Sequence, residues 1–103
     1  MSVVVVATAV PNPEHRAEVI ALFERVIAKV HVEDPGCELY ALNEGKDRLV
    51  MVEKWSDADA LAAHSKSAAL SELAAGLEGK LAAELEVQVL RPHPAGTAEQ
   101  GVV

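Results

Sequence analysis

Cysteine is nearly absent from this chain of 103 residues. Its single thiol, Cys37, permits neither an internal disulfide nor a cysteine-built metal cage. Aromatic side chains are almost as scarce, with Phe23, Tyr40 and Trp55 making up 3% of the residues. Cations are outnumbered, nine Lys and Arg against sixteen Asp and Glu, for a formal net charge of -7. Phosphate backbones need clustered Lys and Arg, and these nine are scattered, which excludes a nucleic-acid surface. No apolar run is long enough to span a bilayer. The opening segment MSVVVVATAV lacks the basic start and small-residue cleavage site of a signal peptide and reads as a strand, so a cytoplasmic location is expected.

Half of the residues are hydrophobic, mostly Ala, Val and Leu, and 24% are charged. That balance belongs to a globular chain, and its length to one domain. Residues 1–92 are expected to form this domain. From Pro92 on, PHPAGTAEQGVV has no periodicity, and residues 93–103 read as a flexible tail.

The order of elements follows from periodicity and punctuation. A β-branched run over residues 2–10 closes at PNP (Pro11–Pro13). Val19, Ile20, Leu22, Phe23, Val26, Ile27 and Val30 step by three and four, which predicts an amphipathic helix from about Glu14 to Val32. EDPG (Glu33–Gly36) stops it. CELYAL (Cys37–Leu42) and RLVMVEKW (Arg48–Trp55) read as strands around an NEGKD hairpin loop. SDAD starts a second helical stretch, with Ser56 and Asp59 spaced as a capping box. Leu70, Leu73, Leu77 and Leu81 form its stripe, and Gly76 and Gly79 mark a weak place in it. ELEVQVL (Glu84–Leu90) is the last strand. The order β-α-β-β-α-β is the ferredoxin-like arrangement, a four-stranded antiparallel sheet with both helices on one face.

Such a sheet should alternate apolar and polar residues. VVVV (Val3–Val6) and LVMV (Leu49–Val52) are apolar on both faces, and LYAL (Leu39–Leu42) is nearly so. The helices cover one face only, which predicts a homodimer paired through the other.

The candidate site centres on VMVEKWSDADALAAH. On the third strand Leu49, Met51, Glu53 and Trp55 share a face. On the following helix His64 shares the apolar side with Ala60 and Leu61. Strand face and helix face can therefore meet around Glu53, Trp55 and His64, with Ala58, Ala60, Ala62 and Ala63 leaving room. A lone inward histidine is also compatible with a hydrogen-bonded core residue, Trp55 with simple packing, and Glu53 with a surface salt bridge. His15, His31 and His93 make no pattern with His64. No histidine pair has i, i+4 spacing and no HExxH is present, so no metal is expected.

Taken together, EDPGCELYAL with Gly36, Cys37 and Tyr40, VMVEKWSDADALAAH with Glu53, Trp55 and His64, and the closing VQVLRP resemble the antibiotic biosynthesis monooxygenase (ABM) family. The likeness is to its small quinol-monooxygenase-like members and runs over about residues 3–92. It implies a dimeric α+β barrel, with a pocket between helices and sheet in each subunit. It further implies oxidation of a small aromatic quinol, phenol or anthrone by molecular oxygen, without metal or flavin. On that reading His64 accepts the phenolic proton, since histidine titrates near neutrality. Tyr40 donates a hydrogen bond to the developing oxyanion, and Glu53 orients His64 or acts as a base itself. Trp55 stacks on the substrate, and Met51 and Leu61 line the binding pocket. Two departures accompany the resemblance. Ala69 stands where some relatives carry a second histidine or an aromatic, and the first strand lacks the Asn of the haem-degrading branch. Two other functions suit the same residues: a non-oxidative isomerase of a small oxygenated metabolite, and a ligand-binding module without turnover.

Overall fold

A computed structural model describes residues 1–103. Strand β1 (Val3–Ala9) leads through a short 3-10 turn (Pro13–His15) into helix α1 (Arg16–Glu33). Strands β2 (Cys37–Glu44) and β3 (Leu49–Trp55) form the hairpin. Helices α2 (Ala58–Ser65) and α3 (Ala68–Leu77) then cross back to β4 (Glu86–Leu90). The sheet order is β2-β3-β1-β4, all antiparallel, so the chain is a ferredoxin-like α+β domain with three helices.

The second helical stretch is two helices rather than one. Ser67 accepts a hydrogen bond from the Leu70 amide and so caps a new helix just past the end of α2. The expected capping box at Ser56 is displaced by one residue. The Ser56 amide donates to the Gly36 carbonyl at 2.8 Å, which commits it to the sheet, and Asp57 caps α2 by accepting from the Ala60 amide at 2.8 Å. Gly76 does not break α3. A Cβ there would lie 2.6 Å from a Leu22 methyl, so the glycine permits close approach of α1 and α3. The real end comes after Leu77, and Leu81 leaves the predicted helix stripe to bridge Pro11. The last strand begins at Glu86 rather than Glu84.

The hydrophobic core lies between the helices and one sheet face. Along β3 burial alternates strictly, with Leu49, Met51, Glu53 and Trp55 buried and the residues between them half-buried. Val19, Leu22, Phe23, Val26 and Val30 of α1 and Ala69, Leu73 and Leu77 of α3 close over them. Burial of each large apolar side chain is worth roughly 1.5–3 kcal/mol.

The segment after β4 folds back on the other sheet face. There Val102 and Val103 approach Val4 and Leu90, and the Gly101 amide donates to the Thr97 carbonyl at 2.8 Å.

Candidate active site

Two local devices aim side chains into the space between helices and sheet. The first is a β-bulge at the start of β2. Cys37 pairs with Trp55, but after the bulge Leu39 pairs with Lys54 and Tyr40 with Glu53. Cys37 and Tyr40 are an odd number of residues apart, yet both take the helix-covered face, which a regular strand forbids. The second is the turn at Gly36, which has φ +81°. A Cβ there would lie 2.6 Å from Ala60 Cβ and 2.7 Å from Ser56 Oγ, so glycine alone lets the turn after α1 pass directly beneath α2.

The space itself is a cavity of about 290 Å³, lined mainly by apolar residues. Its floor is Val5, Ala7, Met51 and Glu53 of the sheet, and its roof includes Phe23, Leu61, His64 and Leu73. Leu85 and Val87 also line it and are 39% and 53% exposed, so the mouth opens toward β4. A cavity of ~150 Å³ can hold benzene, so this one has room for a one- or two-ring compound.

Three polar residues meet at the inner end. Tyr40 and His64 have ring centroids 5.2 Å apart at 71°, and Glu53 lies opposite Tyr40 in the sheet register. All three line the cavity. Trp55 Nε1 donates to Glu53 Oε1 at 3.0 Å, and His64 Nδ1 lies 2.7 Å from Asp34 Oδ2. The Tyr40 hydroxyl, the second Glu53 oxygen and His64 Nε2 bond to nothing in the chain. Since no side-chain nitrogen or oxygen is both sealed from solvent and unpartnered, each of these atoms keeps some accessible surface, and all three residues line the cavity.

Their electrostatics follow from burial. Desolvation raises the Glu53 carboxyl above its ordinary value, against the opposing Trp55 hydrogen bond and the field of His64. Desolvation also drives the Tyr40 phenol upward, reinforced by the Glu53 and Asp34 carboxylates, so it stays a neutral hydroxyl donor. The same burial and the same two carboxylates, Asp34 ahead of Glu53, raise the Cys37 thiol, which is therefore a poor nucleophile. No three His, Cys, Asp or Glu side chains cluster as a metal site would require.

His64, Glu53, Tyr40, Met51 and Leu61, singled out from sequence, thus share one cavity. Trp55 stands apart. It is fully buried and does not line the cavity. Its ring carries His64 instead, with centroids 4.3 Å apart and planes 31° from parallel. Its N–H is held by Glu53, so neither its face nor its donor is free for a substrate. Glu53 in turn bonds Trp55 and not His64. The residue that does bond His64 is Asp34, which sequence reading treats as part of a helix stop. The two lie thirty positions apart, and no local spacing connects them.

Fold and cavity define a small ferredoxin-like α+β domain with an apolar pocket that is polar at one end. The chain belongs to the antibiotic biosynthesis monooxygenase (ABM) family, whose model matches residues 2–76. Among solved structures it resembles Rv0793 of Mycobacterium tuberculosis, with 27% identity over 94% of this chain and 100% of that one and a TM-score of 0.86. A conserved protein of Methanosarcina mazei Go1 is 26% identical over 88% of this chain and 92% of its own, with a TM-score of 0.81. A protein of Caulobacter crescentus CB15, described as a candidate antibiotic biosynthesis monooxygenase, is 27% identical over 86% and 87% of the two chains, with a TM-score of 0.82. No curated protein matches the chain.

Proposed function

We propose that the chain is a cofactor-independent monooxygenase that oxidises a small phenol, quinol or anthrone with molecular oxygen. The observation that carries this reading is the trio of unbonded polar atoms, Tyr40 Oη, Glu53 Oε2 and His64 Nε2, at the inner end of an apolar cavity. A buried oxyanion needs a dry pocket, a base and a donor, and these residue types supply them.

For a hydroquinone the sequence of steps closes on itself with one base. His64 Nε2 takes a phenolic proton, and the electron-rich anion passes one electron to oxygen. The two radicals join at a ring carbon, and His64 returns its proton to the peroxide. His64 then removes the proton on that carbon as the O–O bond breaks, forming a carbonyl and releasing hydroxide. The hydroxide leaves as water with that proton. One oxygen atom enters the ring, the other becomes water, and the substrate supplies all four electrons. A second base at Ala69 is not required.

We further propose a homodimer joined through the sheet face away from the helices. Val6, Val50, Val52 and Ala41 lie half-buried there, and Leu39 and Leu90 are exposed.

The test is oxygen uptake by metal-stripped protein with hydroquinones, naphthoquinols and anthrones. Uptake above autoxidation that falls about 10²–10⁴-fold in His64→Ala, the usual share of a general base, is the expected result. Proton exchange or rearrangement without oxygen uptake would transfer the same residues to an isomerase. Ligand binding without turnover would leave a binding module.

A further inference from the structure

We infer that Asp34 is the positioning residue for His64: its carboxylate keeps the imidazole proton on Nδ1 and so leaves the Nε2 lone pair facing the cavity. The inference rests on the reading of His64 as the base, and adds to it the group that sets which nitrogen can accept.

The geometry is constrained from several sides. Asp34 ends α1, with its amide donating to the Val30 carbonyl at 3.1 Å. Two residues on, the Gly36 carbonyl accepts from the Ser56 amide, which pins the turn to the junction of β3 and α2. The Asp34 side chain is thereby delivered to His64 and bonds no other side chain or backbone group. Both side chains are nearly sealed, 9% exposed for Asp34 and 4% for His64. The indole of Trp55 lies against the imidazole face and restrains the ring plane. Within that plane, the carboxylate decides the tautomer. It can only accept, so the nitrogen facing it must carry a proton. Glu53 on β3 and Tyr40 on β2 also lie near the ring, and neither bonds to it.

A purely structural role is the competing account. Taking the carboxylate out of water offsets much of the attraction in a sealed carboxylate–imidazole pair, so such a pair is a weak stabiliser. As an orienter it has a direct effect, because the alternative tautomer would present N–H to the cavity and could not accept a proton there.

The experiment reads the tautomer directly, by long-range ¹H–¹⁵N correlation of the His64 ring in labelled full-length protein at a pH of about 8.5, well above the usual histidine titration. The native chain is expected to show a protonated Nδ1 and a bare Nε2. In Asp34→Asn the amide can donate to Nδ1, and the Nε2–H form is expected to become the major species. Turnover in that variant should fall about 10- to 100-fold, as for the loss of other outer groups that orient a working side chain. KM should change by less than about twofold. A native ring protonated on Nε2, or an Asp34→Asn chain with unchanged tautomer and turnover, would overturn the inference. Should Asp34→Asn fail to fold, the native spectrum still decides. Absence of oxygen uptake with every substrate would remove the monooxygenase reading, and the spectrum would decide on Asp34 regardless.

Discussion

Glu53 is the residue on which the two chemistries of the pocket, apolar and acidic, compete. It is 5% exposed in the middle of the sheet, and a carboxylate placed there loses its water. One indole N–H restores part of the loss at 3.0 Å, but desolvation prevails and the carboxyl titrates above its ordinary 4.5. The folded chain therefore binds this proton more tightly than the unfolded chain does. The resulting stabilisation is complete below 4.5 and is lost as pH rises through the raised folded value. Glu53→Gln keeps a carbonyl oxygen for Trp55 Nε1 and removes the charge. It should leave thermal stability near that of the native chain at pH about 4 and raise it at pH about 8, since only the charged form is penalised. Melting curves of both proteins at the two pH values check this. An equal gain at both would mean that packing, and not the buried charge, separates them. Sequence reading reached Glu53 and His64 because strand alternation and helical spacing place each on an inward face, and Tyr40 only through the family resemblance. It did not reach the Glu53–Trp55 bond, since two residues on one strand face give no sign of whether their polar atoms meet each other or the cavity.

At the scale of elements, the site is held by interruptions of regular structure. The bulge at Cys37–Leu39 turns Tyr40 inward, the break at Ser67 separates the helix of His64 from the helix of Leu73, and the turn at Gly36 brings Asp34 beneath α2. Strands and the first helix were legible because their periodicity repeats over many residues. The interruptions each depend on one residue and carry little sequence signal: EDPG marks only a stop, SDAD suggests a cap one residue early, and Gly76 suggests a weak point. Gly36 carries the sharpest consequence. Gly36→Ala must force a side chain into a left-handed backbone and against Ala60 Cβ. The strain alone is worth ~1–3 kcal/mol. Each kcal/mol lowers the midpoint of a domain this size by roughly 4–8 °C. Gly79 has a similar φ of +77° but nothing within 4 Å, so Gly79→Ala should lower the midpoint less. Parallel thermal melts test the difference, and equal losses would show that Ala60 is no obstacle. Gly36→Ala should also lengthen the Asp34–His64 contact, and with it weaken turnover.

For the whole molecule the open question is what covers the second sheet face. The helices bury one face, and their length and placement leave none for the other. The chain covers one end of it alone: Val4, near Val102 and Val103, is 6% exposed. Val6, Val50, Val52 and Ala41 remain half-buried around the centre, and Val6, Val52 and Ala41 form one row across β1, β3 and β2. The apolar pattern of these strands was legible in the sequence, but the identity of the cover was not, because alternation records burial and not the owner of the burying surface. A second copy of the same face would meet Val52 with apolar side chains, and a carboxylate introduced there would have to be buried without a partner. In an isolated chain Val52 is half-exposed, and Val52→Glu should cost little. The native protein is therefore expected to sediment at twice 10.9 kDa and Val52→Glu at 10.9 kDa with its fold retained by circular dichroism. Val87→Glu, at the cavity mouth on the helix side, should leave the mass of the native protein unchanged. A native chain that sediments as a monomer at micromolar concentration would show that the valine row tolerates water, and the dimer would have to be given up.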